Sequence, residues 1–186
     1  MRHLTLLCCL VLLSTGCATR APFTQQLRQE LELSNEDLKH MQFFLAGEMV
    51  LYRASNKDQA NITRKHNLRL VNDTLIEEIM IRSGTPAIAE KIEENAVFVS
   101  FEEGKLLNFG SDPEDTNNWQ GKYMLIVDAW EGEQGELSYD GKPYQVKGDY
   151  ASLHLLVNLN EIDQYKKRSR VLKGRRLNNE LVQPNP

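Results

Sequence analysis

Apolar residues recur at two different spacings in this 186-residue chain, and the change from one to the other marks where helix gives way to strand. Between residues 34 and 47 the spacing is helical: Leu38, Met41, Phe44 and Leu45 fall within an arc of about 120°. Ser34 with Asp37 three positions on approximates a capping box, in which each side chain accepts a hydrogen bond from the other residue's backbone N–H. A short amphipathic helix that ends at Gly47 is therefore predicted. From Glu48 the period falls to two. Residues 49–52, 68–71 and 75–81 read as strands, the last two joined through Asn72-Asp73. Val97, Val99 and Phe101 alternate, Glu102-Glu103-Gly104 turns the chain, and Leu107 and Phe109 continue on a returning strand. Tyr123, Leu125, Val127 and Ala129 make another. Leu137 and Tyr139 are separated from Tyr144 and Val146 by Asp140-Gly141, a pair suited to the positive φ angles of a type I′ hairpin. Leu153, Leu155 and Val157 complete the series. The expected fold is mainly β with flanking helices: an antiparallel β-sandwich or small β-barrel preceded by one short amphipathic helix.

The N-terminus follows neither pattern. Arg2 and His3 precede an apolar stretch from Leu4 to Leu13 broken only by Thr5, too short to cross a hydrocarbon core of about 30 Å and of the length of a signal-peptide core. Leu12, Leu13, Ser14, Thr15, Gly16 and Cys17 follow. This segment resembles the lipobox of bacterial lipoproteins, departing from its commonest form in carrying Ser14 three residues before the cysteine. The resemblance implies that residues 1–16 are a cleaved signal peptide and that Cys17 is lipidated. Cys8 and Cys9 lie in the removed part, so Cys17 is the one thiol of the mature chain, which can form no internal disulfide. By resemblance to lipoprotein sorting, Ala18 after the cysteine favours the periplasmic face of the outer membrane. Residues 17–33 then read as a lipidated tether leading into a helix, 34–160 as the β-rich domain, and 161–186 as a basic C-terminal helix or tail.

Charge sharpens that division. Without Arg2, 21 basic residues face 26 acidic ones, a formal net charge of −5. Seven of the basic residues (Lys166, Lys167, Arg168, Arg170, Lys173, Arg175 and Arg176) lie within eleven positions, leaving −12 on the rest. Asn160 as cap, Glu161 and Asp163 in a first turn and Gly174 beyond a basic last turn favour a helix there.

Catalytic patterns are weak. His40, His66 and His154 are far apart and lack ligand spacing. His40 belongs to the early helix, and His154 reads as a solvent-side strand residue. Residues 112–118 cluster oxygen ligands but lack the spacing, central glycine and final glutamate of a calcium loop, and read as a solvated connection. Glu131, Glu133 and Glu136 around Gly132 and Gly135 read as a hairpin tip, and no serine sits in a Gly-x-Ser-x-Gly elbow. The expectation is a non-enzymatic envelope lipoprotein without cofactor or metal. It is anchored to the membrane through Cys17 and binds another envelope protein or an anionic polymer, not nucleic acid, through Lys166 to Arg176. The alternative is a carrier of a lipid or other apolar ligand in a barrel cavity.

Overall fold

The computed structural model describes residues 19–55, 67–71, 74–114, 119–131 and 134–166. The protein is mainly β, with 53% of its described residues in strands, arranged as two antiparallel sheets, one curled into half a barrel. The strands are β1 (Arg20–Pro22), β2 (Gln42–Leu45), β3 (Met49–Ser55), β4 (Asn67–Val71), β5 (Thr74–Ile81), β6 (Pro86–Ile92), β7 (Ala96–Glu102), β8 (Lys105–Gly110), β9 (Met124–Leu125), β10 (Ala129–Glu131), β11 (Gln134–Tyr139), β12 (Lys142–Gly148) and β13 (Leu155–Asn158). One sheet runs β1-β13-β2-β6-β7-β8-β9 and the other β10-β11-β12-β3-β5-β4. The chain passes between the sheets after β2, β5, β9 and β12, so each sheet is assembled from separate stretches of the chain.

Alternation puts one residue set between the sheets. Phe43 and Leu45, Val97 and Val99, Leu107 and Phe109, and Leu155 and Val157 point inward from the seven-stranded sheet. Met49, Leu51, Leu137, Tyr139, Tyr144 and Val146 meet them from the other. Phe23 stacks on Tyr123 with ring centroids 4.7 Å apart and meets Phe43 edge-on at 5.2 Å. Near these rings the seven-stranded sheet bends back on itself. Isolated bridges join Thr24 to Lys122 and Met124 to His154, and the Leu155 N–H donates to the Tyr123 carbonyl at 3.0 Å.

The 139–144 hairpin forms as expected: Asp140 and Gly141 have φ of 54° and 68°, and Tyr139 pairs with Lys142. The capping box also forms, with the Asp37 N–H donating to Ser34 Oγ at 3.1 Å and the Ser34 N–H to Asp37 Oδ2 at 3.0 Å. The helix it starts, however, is only Asn35–Lys39; counting α1 (Gln25–Glu30) before it, it is α2. Phe44 and Leu45, expected on this helix, lie in β2. The burial of Met41, Phe43 and Leu45 shows that a two-residue period already holds there, with Phe44 turned to the other face. Gly47 ends no helix but lies in the turn into β3, where a Cβ would collide with the Ser152 side chain.

Nor is the segment after Thr19 a free tether. Arg20, Ala21 and Pro22 pair with Asn158, Val157 and Leu156, Pro22 being tolerated because β1 is an edge strand, and Phe23 is fully buried. Arg28 of α1 then fastens the segment down by donating to the Glu93 and Glu94 carbonyls and to the Tyr123 hydroxyl. The C-terminal helix α3 (Leu159–Lys166) is present. It starts before Asn160, whose N–H donates to Asn158 Oδ1 at 2.9 Å; Asn158 therefore takes the capping role expected of Asn160, and Ile162 is buried.

Candidate functional site

Inward positions account for the core, which leaves the outward positions and the seams between sheets as places for a site. The seven-stranded sheet is unusual on its outer side. Phe44, Phe98, Leu106 and Leu156 are half-buried there, while Ile88 is 53% exposed and Ile126 38%. Register makes part of this a continuous patch, because Leu156 faces Phe44 and Phe44 faces Pro86. Two cations lie on its rings: the Arg20 guanidinium 3.6 Å from the Phe44 centroid and the Lys91 ammonium 4.5 Å from that of Phe98.

Where β8 approaches β11, this face dips into an open groove of about 400 Å³ lined by Lys91, Phe98, Leu106, Asn108, Ile126 and Asp128, with Leu137 and Ser138 across the seam. The groove exists because β9 stops after Leu125 and the chain swings across to β10. The Ile126 N–H still donates to the Asn108 carbonyl at 2.9 Å. The Ile126 side chain lies where a Cβ on Gly110 would come within 2.9 Å of it, so the bare backbone of Gly110 is what lets Ile126 cover β8. Asn108 Oδ1 is buried at this seam without a hydrogen-bond partner. Apolar walls with a few polar groups suit an apolar side chain or ligand fragment that also donates a hydrogen bond.

The other sheet carries its polar chemistry inward. Arg53 pairs with Glu77 at 2.5 Å, with both side chains largely buried, and Tyr144 lies beside them with the guanidinium 5.4 Å from its ring centroid. Burial alone would depress the Arg53 pKa, but hydrogen bonding and charge from Tyr144 and Glu77 outweigh it and raise it. Burial and the Glu77 carboxylate raise the Tyr144 phenol against the opposing pull of Arg53. Nearby, Lys105 pairs with Glu102 at 2.9 Å, and burial, then Glu102 and Asp140, push the Tyr139 phenol far above its ordinary value. The pairing is incomplete, since Arg53 Nε is buried without a hydrogen-bond partner, and Arg53 and Tyr144 line an open pocket of about 330 Å³ together with Tyr52, Glu136 and Gln145.

The residues singled out from the sequence fall elsewhere. Cys17, Lys167, Arg168, Arg170, Lys173, Arg175, Arg176 and His66 lie outside the described residues, and Lys166 ends α3. His40 caps α2, with Nδ1 2.7 Å from the Glu36 carbonyl. His154, expected on the solvent side, is half-buried in the bridge to Met124; burial and then the Lys122 ammonium lower its pKa, against a weaker pull from the Ala151 backbone. The Glu114 N–H donates to Asp112 Oδ1 at 3.0 Å, a local turn, and residues 115–118 lie outside the described residues. Among the described residues no group of three or more His, Cys, Asp or Glu could hold a metal, and no helix is long and apolar enough to cross a membrane. The outer patch has no signature in the sequence because its apolar residues sit between inward apolar ones, as in Val97-Phe98-Val99. No protein family model, no curated protein and no solved structure matches the chain.

Proposed function

We propose that this protein is a lipid-anchored component of the bacterial cell envelope, attached through Cys17 on the periplasmic face of the outer membrane. It acts without catalysis as a binding or assembly protein for another envelope protein or an anionic envelope polymer. The observation that carries this reading is the outer face of the seven-stranded sheet: apolar surface left open to solvent, with a groove at its seam, is the mark of a protein-binding region. The lipobox-like segment supplies the location. Carriage of a lipid between the sheets draws less support, because Phe23, Phe43, Phe109, Tyr123 and Tyr139 fill that space as fully buried side chains.

Two experiments test the reading. Cys17→Ser should abolish acylation, read by intact mass, and release the protein from the membrane fraction; retention with unchanged mass would overturn the anchor. Affinity capture from solubilised membranes should recover one partner with the native protein and lose it with Ile126→Asp. A co-purified lipid in native mass spectrometry, with no partner sensitive to Ile126→Asp, would favour the carrier instead.

A further inference from the structure

Where the two sheets part, strand edges are left without a neighbouring strand. The N–H and C=O groups of successive residues in a strand point alternately to its two sides. The Asn108 carbonyl of β8 accepts from the Ile126 N–H at 2.9 Å, so Asn108 points away from β7, and Leu106, two residues back, points the same way. Leu107 between them points to Val99 of β7. β9 pairs only with Phe109 and Gly110, and after Ile126 the chain leaves for β10. Among the described residues no strand therefore covers the Leu106 backbone on its outer edge. β11 repeats the arrangement across the seam. The pairing of β10 ends at Glu136, the Asp128 N–H reaches the Glu136 carbonyl at 2.8 Å, and Ser138 continues past them with its backbone turned to the same side.

An open edge is usually guarded by a charge or a proline. Leu106, Leu107 and Asn108 supply neither. The groove of about 400 Å³ lies against this edge, with Phe98, Leu106 and Ile126 among its walls. Asn108, opposite Phe98 in register, buries Oδ1 there without a hydrogen-bond partner. A segment laid along the edge, where the chain departs after Ile126, would place the side chain opposite Leu106 on the outer face, one diagonal step from Asn108. Apolar walls beside a buried acceptor call for a side chain with an apolar body and a donor at its tip, a description that fits tryptophan and tyrosine.

We infer that this groove takes a short extended segment of the envelope partner. The segment adds to β8 by exchanging hydrogen bonds with the Leu106 backbone. It seats a tryptophan or tyrosine among Phe98, Leu106 and Ile126, with the indole N–H or phenol O–H donated to Asn108 Oδ1. The inference rests on the outer face being a partner-binding surface and specifies what that surface reads: main-chain bonds hold the segment and one side chain selects it.

The test pans displayed seven-residue peptides against the full-length protein, with Ile126→Asp as counter-selection. Recovered peptides should carry a central tryptophan or tyrosine among β-branched residues. Methylating the backbone nitrogens of the best peptide one at a time should weaken binding about tenfold at alternate positions and leave the positions between unchanged. In the free protein the Leu106 amide should exchange with deuterium faster than that of Leu107, and it should slow when peptide binds. Phenylalanine in place of the aromatic donor should weaken binding to the native protein but not to Asn108→Leu, whose thermal melting should be unchanged. Peptides lost with Ile126→Asp but indifferent to N-methylation, or lacking the aromatic donor, would overturn strand addition and leave the binding face standing. If panning recovers nothing that distinguishes the native protein from Ile126→Asp, the reading of the outer face falls as well. A dimer that sediments as such and is broken by Ile126→Asp would reassign the groove to a second copy of this chain and overturn the inference.

Discussion

The two sheets differ in where they keep buried charge and how much aromatic and aliphatic surface they turn outward. In the seven-stranded sheet both sides are apolar: Phe43 and Val99 look inward, and Phe44, Phe98, Ile88 and Ile126 look outward. In the six-stranded sheet the outer side is mixed, with Glu136 and Gln145 joined by a 2.8 Å hydrogen bond, Lys147 exposed and Met80, 48% exposed, opposite Val50, and the inner side holds the Arg53–Glu77 pair. The inward charges have found partners inside the protein, so folding accounts for them. Of the outward apolar groups, Phe44 and Phe98 are covered by Arg20 and Lys91, while Ile88 and Ile126 stay open to water, which fits the binding role proposed above.

If this contrast is right, the largest effect on stability comes from the inward charges and none of it reaches binding. Arg53→Met leaves the Glu77 carboxylate buried without its cation and should cost about 3 kcal/mol. Urea unfolding measures the loss, and a change below about 1 kcal/mol would show that the pair is better solvated than its geometry indicates. Next comes the tip of the β11–β12 hairpin, where Gly141 has a φ of 68° and nothing within 4 Å of a would-be Cβ. Gly141→Val therefore isolates backbone strain, and should destabilise by about 1 kcal/mol or more; an unchanged melting temperature would contradict the left-handed turn. The smallest effect belongs to the outer face. Ile88→Ser should move stability by no more than about 0.5 kcal/mol, and a larger loss in thermal unfolding would mean that the patch is part of the core.

The sequence announced the strands with a polar or charged outer side most plainly. Gln134 to Tyr139 alternates Leu137 and Tyr139 with Glu136 and Ser138, and the Asp140-Gly141 turn follows from the side-chain types alone. The seven-stranded sheet was harder to read for the same reason that it is the candidate surface. In β2 the outward Phe44 between the inward Phe43 and Leu45 lets Leu38, Met41, Phe44 and Leu45 mimic a helical stripe. In β6 the inward residues are the small Ala87 and Ala89 while the larger Ile88 faces out, which inverts the usual pattern. β1 was hidden by Pro22, whose missing N–H matters little on an edge. The seam groove depends on β8 and β11 approaching from distant parts of the chain, with Gly110 making room for Ile126, and no local spacing encodes that.

The outer face of the seven-stranded sheet is the side proposed to meet a partner. Photocrosslinking side chains placed singly at Ile126 and at Met80 in the acylated full-length protein, irradiated in intact cells, test this most directly. A discrete protein or polymer adduct at Ile126, with none at Met80, is predicted. Adducts of equal yield at both positions, or an adduct at Met80 alone, would contradict it.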